Sequence, residues 1–183
     1  MARRPLTKSV GKDNRPVRIL AIGDVIGKPG RVTVEKTVPG LREEYGIDLV
    51  IANAENVAGG IGVTSGTAEE LFDSGIDVLT SGNHIWAHKE IIPYLDGPMP
   101  LLRPLNYPPG VPGRGNLTIG PVMVVSLIGR VFMDNYDCPF RAMDTLLAAP
   151  GRKPPVIIVD FHAEATSEKM AKGKYLDGRV SAV

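Results

Sequence analysis

Four short apolar runs, each ending in a cluster of polar residues, constrain this chain more than any other feature. Val17–Ile22 runs into Gly23-Asp24, and Leu49–Ala52 runs into Asn53-Ala54-Glu55-Asn56. Ile76–Thr80 leads to Ser81-Gly82-Asn83-His84, and Val156–Val159 leads to Asp160-Phe161-His162-Ala163-Glu164. Short continuous runs rich in β-branched residues are the pattern of strands buried on both faces. Helical patterns fill the intervals: 31–45, where Pro39 marks a kink or a break, then Thr67–Ser74, closed by Gly75, then 139–149 and 167–176. This βαβα rhythm predicts a layered α/β domain. Segment 97–116, dominated by proline and glycine, reads as a surface excursion. After it, 117–119 and 122–127 form a strand pair around Gly120-Pro121, followed by the apolar stretch 131–133.

In α/β sheets, ligands bind outside the carboxyl ends of the strands, where loops converge. All four polar clusters fall there, bringing Asp24, Glu55, Asn56, Asn83, His84 and His162. Taken singly, each has an ordinary explanation: a helix cap, a loop charge, a turn residue or a histidine at the core rim. Four such clusters at four strand ends make a joint functional reading the stronger one. Carboxylate, amide and imidazole donors without thiolate suit Mn²⁺, Fe²⁺, Zn²⁺ or Mg²⁺. A pair of such ions can clamp the attacking and leaving oxygens of a phosphate ester.

The remaining features narrow the reading. With 183 residues, 43% of them hydrophobic and 22% charged, the chain fits one domain with a real core. A net charge of +1 gives no ground for an obligatory nucleic-acid or membrane partner. The single cysteine, Cys138, excludes an internal disulfide and fits a reducing cytoplasm. No apolar stretch approaches the roughly 20 residues that cross a bilayer. Residues 1–16 are basic, lack the apolar core of a secretory signal, and read as a flexible extension.

Other candidates are weaker. Gly23–Gly30 is one residue short of a phosphate-binding P-loop and has Pro29 where a hydroxyl residue is needed, so it reads as a tight turn aiming Asp24. Gly59–Gly62 reads as a flexible loop beside the site. Ser65 and Ser81 lack a nucleophile elbow. Cys138 has no histidine nearby in sequence, and His88 reads as a surface residue. Trp86 and Tyr107 could stack on a base, although packing beneath the His84 loop suits Trp86 better.

The ordered motifs GDVIGKPGR, NAEN, SGNHIW and FHAE closely resemble the YmdB-type branch of the calcineurin-like metallophosphoesterases, from about Val17 to the last residue. The resemblance implies a calcineurin-like metallophosphoesterase sandwich with α/β/β/α layers over 17–183. It implies two divalent metal ions, iron or manganese before zinc or magnesium, held by Asp24, Glu55, Asn56, Asn83 and His162. The same resemblance implies that His84 faces the phosphate and assists the leaving oxygen. The implied activity is a phosphodiesterase acting on cyclic nucleotides such as 2′,3′-cyclic AMP.

The likeness is incomplete in two respects. Ile26 stands where the wider superfamily has histidine, and the branch's later Thr-His-Thr-His motif has no counterpart among His84, His88 and His162. The chain is therefore expected to lack the C-terminal strands of the sandwich and to retain metal weakly. The partner is a small nucleotide or phosphodiester, with homo-oligomerisation left open. Alternatives are a nucleotide phosphomonoesterase and a non-catalytic nucleotide-binding regulator.

Overall fold

The computed structural model describes residues 16–183, so the extension expected over 1–16 lies, but for Pro16, outside the described residues. Two three-stranded sheets carry the fold. The first contains β1 (Ile19–Asp24), β2 (Leu49–Asn53) and β3 (Val78–Thr80), in that order and all parallel. The second contains β4 (Asn116–Ile119), β5 (Val122–Ile128) and β6 (Val156–His162). In it, β5 pairs antiparallel with β4 and parallel with β6. The middle strands β2 and β5 are buried at every residue. Their unbroken apolar sequences arise because each has protein on both faces.

Three apolar clusters define the layers. Leu49, Ile51 and Val78 of the first sheet meet Ile119, Val122 and Val124 of the second, so the sheets pack face to face. The other face of the first sheet, through Val50, Ala52 and Leu79, packs with Val34 and Val38 of α1 (Gly27–Tyr45) and Ala68 and Leu71 of α2 (Ser65–Asp73). The other face of the second sheet, through Met123, Val125 and Leu127, packs with Met143 of α4 (Pro139–Ala148) and Leu176 of α5 (Thr166–Leu176). The result is the α/β/β/α sandwich implied by the sequence. A short α3 (Ile92–Leu95) lies between the sheets in chain order. Among the described residues no helix is long and apolar enough to cross a membrane.

Local chemistry explains where elements stop and where expectation fails. Helix α2 starts from Thr64, whose hydroxyl accepts from the Thr67 N–H while the Thr67 hydroxyl accepts from the Thr64 N–H. The cap therefore lies before Thr67, the predicted opening. Helix α1 begins at Gly27 and continues through Pro39 without a break. Pro39 lies on the exposed side, where water can serve the carbonyl that loses its partner, while Val34 and Val38 hold the opposite side in the core. Stretch 131–133 belongs to a loop and forms no strand.

Ile51 lies between the sheets at 3% exposure. Ile51→Ala should therefore lower unfolding free energy by about 2–5 kcal/mol in denaturant titrations. Tyr45→Ala, at a residue 54% exposed, should cost far less.

Candidate active site

The strand ends and their loops converge on a cleft of about 510 Å³ lined by Asp24, Glu55, Asn56, Asn83, His84 and His162. The cleft also takes Phe132, Met133, Asp134 and Tyr136 from the β5–α4 loop, with Glu164 beyond β6. All six residues singled out from the sequence are thus together.

Each is aimed by a local device. The β1–β2 register shifts between Ile22 and Asp24, a strand-end irregularity that re-aims the Asp24 side chain. The following turn is fastened to the second loop by Val25 N–H to Asn53 O (2.9 Å) and Gly27 N–H to Asn56 O (2.9 Å). Gly27 has φ 54°, in the left-handed region. Asn53 accepts the Glu55 N–H on its side-chain oxygen at 3.0 Å, an Asx turn that swings Glu55 into the cleft. Arg31 holds the same loop from behind, donating to Val57 O at 2.7 Å and pairing with Glu70 at 2.5 Å. Asn83 and His84 open a 3₁₀ turn, Asn83–Trp86, after β3. His162 ends β6.

Glu55 is the centre of the arrangement. It is 2% exposed, and its Oε1 lies 3.4 Å from His162 Nε2 and 3.6 Å from His84 Nδ1. Asn56 Nδ2 donates to Asp24 Oδ2 at 2.6 Å and to Glu55 Oε1 at 3.2 Å. A carboxylate only accepts, so the amide orientation is fixed: Asn56 Oδ1 faces His84 Nδ1 at 2.7 Å and accepts a hydrogen bond from its N–H. His84 Nε2 is the nitrogen left to act elsewhere. The other Glu55 oxygen, Oε2, is buried without a hydrogen-bond partner. Burial raises the Glu55 pKa most strongly; His162 opposes the rise, and Asp24 adds to it.

A divalent cation fits this environment on three counts. Glu55 Oε2 is a buried acceptor in want of a positive partner. Gly82 leaves open the space beside it, where a Cβ would overlap the Glu55 carboxylate and come within 2.6 Å of the His162 ring. Four carboxylates and no lysine or arginine are among the lining residues. Among the described residues no three His, Cys, Asp or Glu side chains already form a metal-holding cluster. The set therefore depends on the amides of Asn56 and Asn83. With Asp24, Glu55 and His162 these make five protein donors, enough for one six-coordinate ion with water and sparse for two.

Other sequence candidates fall outside the cleft. The Gly59–Gly62 loop does not line it and is a hydrogen-bonded turn, Ala58 N–H to Gly62 O at 2.9 Å, with His88 Nε2 against Ile61 O at 3.0 Å. The second of these bonds gives His88 a structural partner. Trp86 packs edge-on against Tyr107, ring centres 5.6 Å apart, and neither lines the cleft. Phe132, Met133, Asp134 and Tyr136 were missed because they lie several residues past the end of β5 and match no motif. Glu164 was visible within FHAE but unassigned.

Metal-free Glu55→Gln should melt above the unsubstituted protein at pH 8. Because folding raises the Glu55 pKa above 4.5, folding favours its protonated form, and the penalty of ionising it appears as pH rises. The gap in melting temperature should close towards pH 4 in chelator. Added Mn²⁺ should reverse the order by stabilising the Glu55 protein selectively. Gly82→Ala should weaken Mn²⁺ binding by about 10–100-fold in calorimetry, as for other disruptions of ligand orientation.

Comparison with known proteins identifies relatives of the chain. Residues 20–183 match the family described as YmdB-like protein. The chain is 46% identical to a 2′,3′-cyclic-nucleotide 2′-phosphodiesterase of Bacillus subtilis, over 91% of the chain and 65% of that protein. It is 32% identical to a putative phosphatase/phosphodiesterase of Mycoplasma genitalium, covering 91% of the chain and 62% of that protein. It thus spans a little under two-thirds of the curated relatives it matches. Two crystal structures superpose with TM-scores of 0.84: a hypothetical protein from Thermus thermophilus, 48% identical, and a phosphatase from Mycoplasma pneumoniae, 32% identical. The chain covers 66% and 62% of these, and each match takes in 91% of the chain.

Proposed function

The chain belongs to the YmdB-like family, and from that premise we propose that it serves the metal-dependent hydrolysis of a phosphodiester, with 2′,3′-cyclic nucleotides as substrates. One observation carries the reading: Asp24, Glu55, Asn56, Asn83, His84 and His162 share one cleft around a buried carboxylate with an unpartnered oxygen. The activity for which the Bacillus subtilis relative is named supports this substrate class.

Asp24, Glu55, Asn56, Asn83 and His162 would hold divalent metal, iron or manganese being favoured and two ions being the full complement. Such ions, when bound, neutralise charge on phosphate oxygens and acidify water. The chain's own residues supply the rest. Asn56 keeps the His84 Nδ1 proton engaged, so His84 Nε2 is presented in a defined orientation. His84, protonated at Nε2, gives its proton to the departing ribose oxygen as the P–O bond breaks, and water supplies the new oxygen on phosphorus. Asp24 and Glu55 are bridged by the Asn56 amide, which donates to both and so keeps the two carboxyl groups at one site. A small nucleotide is the expected partner.

The Mycoplasma relatives, named phosphatase/phosphodiesterase, favour a second reading as a nucleotide phosphomonoesterase. Rates on 2′,3′-cyclic AMP and on 5′-AMP separate the two.

With Mn²⁺ or Fe²⁺ supplied, 2′,3′-cyclic AMP should be hydrolysed. His84→Ala should lower kcat by about 10²–10⁴-fold, the range for loss of a general acid. Undiminished turnover in Asp24→Asn or Glu55→Gln would remove the metal assignment.

A further inference from the structure

The loop from Gly129 to Asp137 carries a feature that hydrolysis of a phosphate ester does not use. Phe132 is 89% exposed, the most exposed of the large hydrophobic side chains described, and lies at the rim of the cleft. Its φ is 63°, the one positive φ at a non-glycine among the described residues. An aromatic residue in the left-handed region with its ring in water is unfavourable on both counts.

The loop is nevertheless fastened at both ends by buried polar side chains. On one side, Glu168 of α5, 8% exposed, accepts the backbone N–H of Arg130 at 3.0 and 3.1 Å and that of Val131 at 3.2 Å. On the other, Asn106, 1% exposed, accepts the Ile128 N–H at 2.9 Å and donates to the carbonyls of Ile128 and Asp137, both at 2.8 Å. Gly129 N–H adds a bond to His162 O at 2.8 Å, tying the loop to the end of β6. A Cβ at Gly129 would collide with Glu168 and Ala163, so the close approach needs glycine. Two buried anchors therefore present Phe132 at a fixed place beside the polar cleft. Tyr136 lines the cleft from the same loop, its ring packed 5.1 Å from Tyr107.

We propose that this loop is a base-binding subsite, with Phe132 the face on which the base of a nucleoside phosphate stacks while its phosphate occupies the Asp24–His162 cleft. This rests on the phosphodiesterase reading and deepens it to nucleosides as against simple diesters. A planar ring beside a carboxylate-rich cleft suits a ligand that is aromatic at one end and ionic at the other. An acyl chain would need a continuous apolar groove, whereas Phe132 and Met133 are the apolar residues of the lining. Stacking accepts any base, because every base offers a π-face.

The test is calorimetric binding, with Mn²⁺ present, of 2′,3′-cyclic AMP and of ribose 2,3-cyclic phosphate, which lacks the base. It uses His84→Ala protein, whose metal-holding residues are intact, so that turnover is slowed. Phe132→Asn keeps a residue that tolerates positive φ, and should weaken nucleotide binding about tenfold, within the range of base–aromatic stacking. Binding of the baseless ester should stay within about twofold, and Phe132→Trp should restore nucleotide affinity. Equal effects on both probes, no effect on either, or no preference of the Phe132 protein for the nucleotide would each overturn the proposal. Concentration-dependent self-association lost in Phe132→Asn would assign the ring to an interface between copies and overturn it too. Hydrolysis by the unsubstituted protein is scored separately. Absence of turnover with Phe132-dependent nucleotide binding counts against the phosphodiesterase reading and for the subsite. Hydrolysis of both esters without base preference does the reverse.

Discussion

A carboxylate held in the interior with one oxygen unpaired is the constraint around which the rest of this molecule is arranged. Glu55 is almost wholly removed from water, and Oε2 finds no donor. Burying such a group is costly unless a positive charge or good donors compensate. Its neighbours are chosen for the geometry that this demands. Asn53 turns the chain inward, Asn56 spans the gap to Asp24, and Gly82 withdraws its side chain from the space beside Oε2. Arg31, far outside the cleft, keeps the loop from relaxing outwards through Val57 O.

Both sheets are needed for this. The first supplies Asp24, Glu55, Asn56, Asn83 and His84, and the second supplies His162 together with the β5–α4 loop. Their relative position is set partly by non-directional packing of Ile51, Val78 and Val124, which alone would tolerate sliding. Directional contacts remove that freedom. Thr80 at the end of β3 donates to Asp160 of β6, and Ser126 of β5 donates to Ser81 O at 3.0 Å. These bonds join the sheets within one or two residues of Gly82 and His162. A slip between sheets would thus break buried hydrogen bonds as well as separate the donors, so docking and site geometry form together.

What was legible in the sequence follows from the same physics. Strands buried on both faces must be apolar throughout, so the abrupt change to polar residues at Asp24, Glu55, Asn83 and His162 marked strand ends and the residues that share the cleft. The length of α1 was harder to read, because proline's local penalty suggests an interruption that burial of Val34 and Val38 overrides. Phe132 left no signal, since a single aromatic in an aperiodic stretch looks like core. Its exposure depends on Glu168 and Asn106, which are distant in sequence and whose polarity suggests surface. Trp86 and Tyr107 drew attention as aromatics near a motif, yet they pack on each other and leave exposure to Phe132. Local chemistry reveals where a strand stops; it does not reveal which loop another element will hold against it.

Charge gives the cleft an order of occupation. Asp24, Glu55, Asp134 and Glu164 line it, while His84 and His162 are its only titratable bases among the lining residues. A phosphodiester entering this site alone would bring a negative charge against four carboxylates in a partly desolvated space, where repulsion is far stronger than in water. A divalent cation changes the sign of that interaction and also partners Glu55 Oε2. The residues that stabilise a cation are thus the ones that exclude an anion in its absence. Binding of phosphate is thereby coupled to prior binding of metal, even though the fold holds the cleft open without either. The base of a nucleoside, being uncharged, is free of that requirement, and Phe132 offers it an exposed stacking face in the lining of the cleft. Affinity for the base and affinity for the phosphate are in this way separated in physical origin.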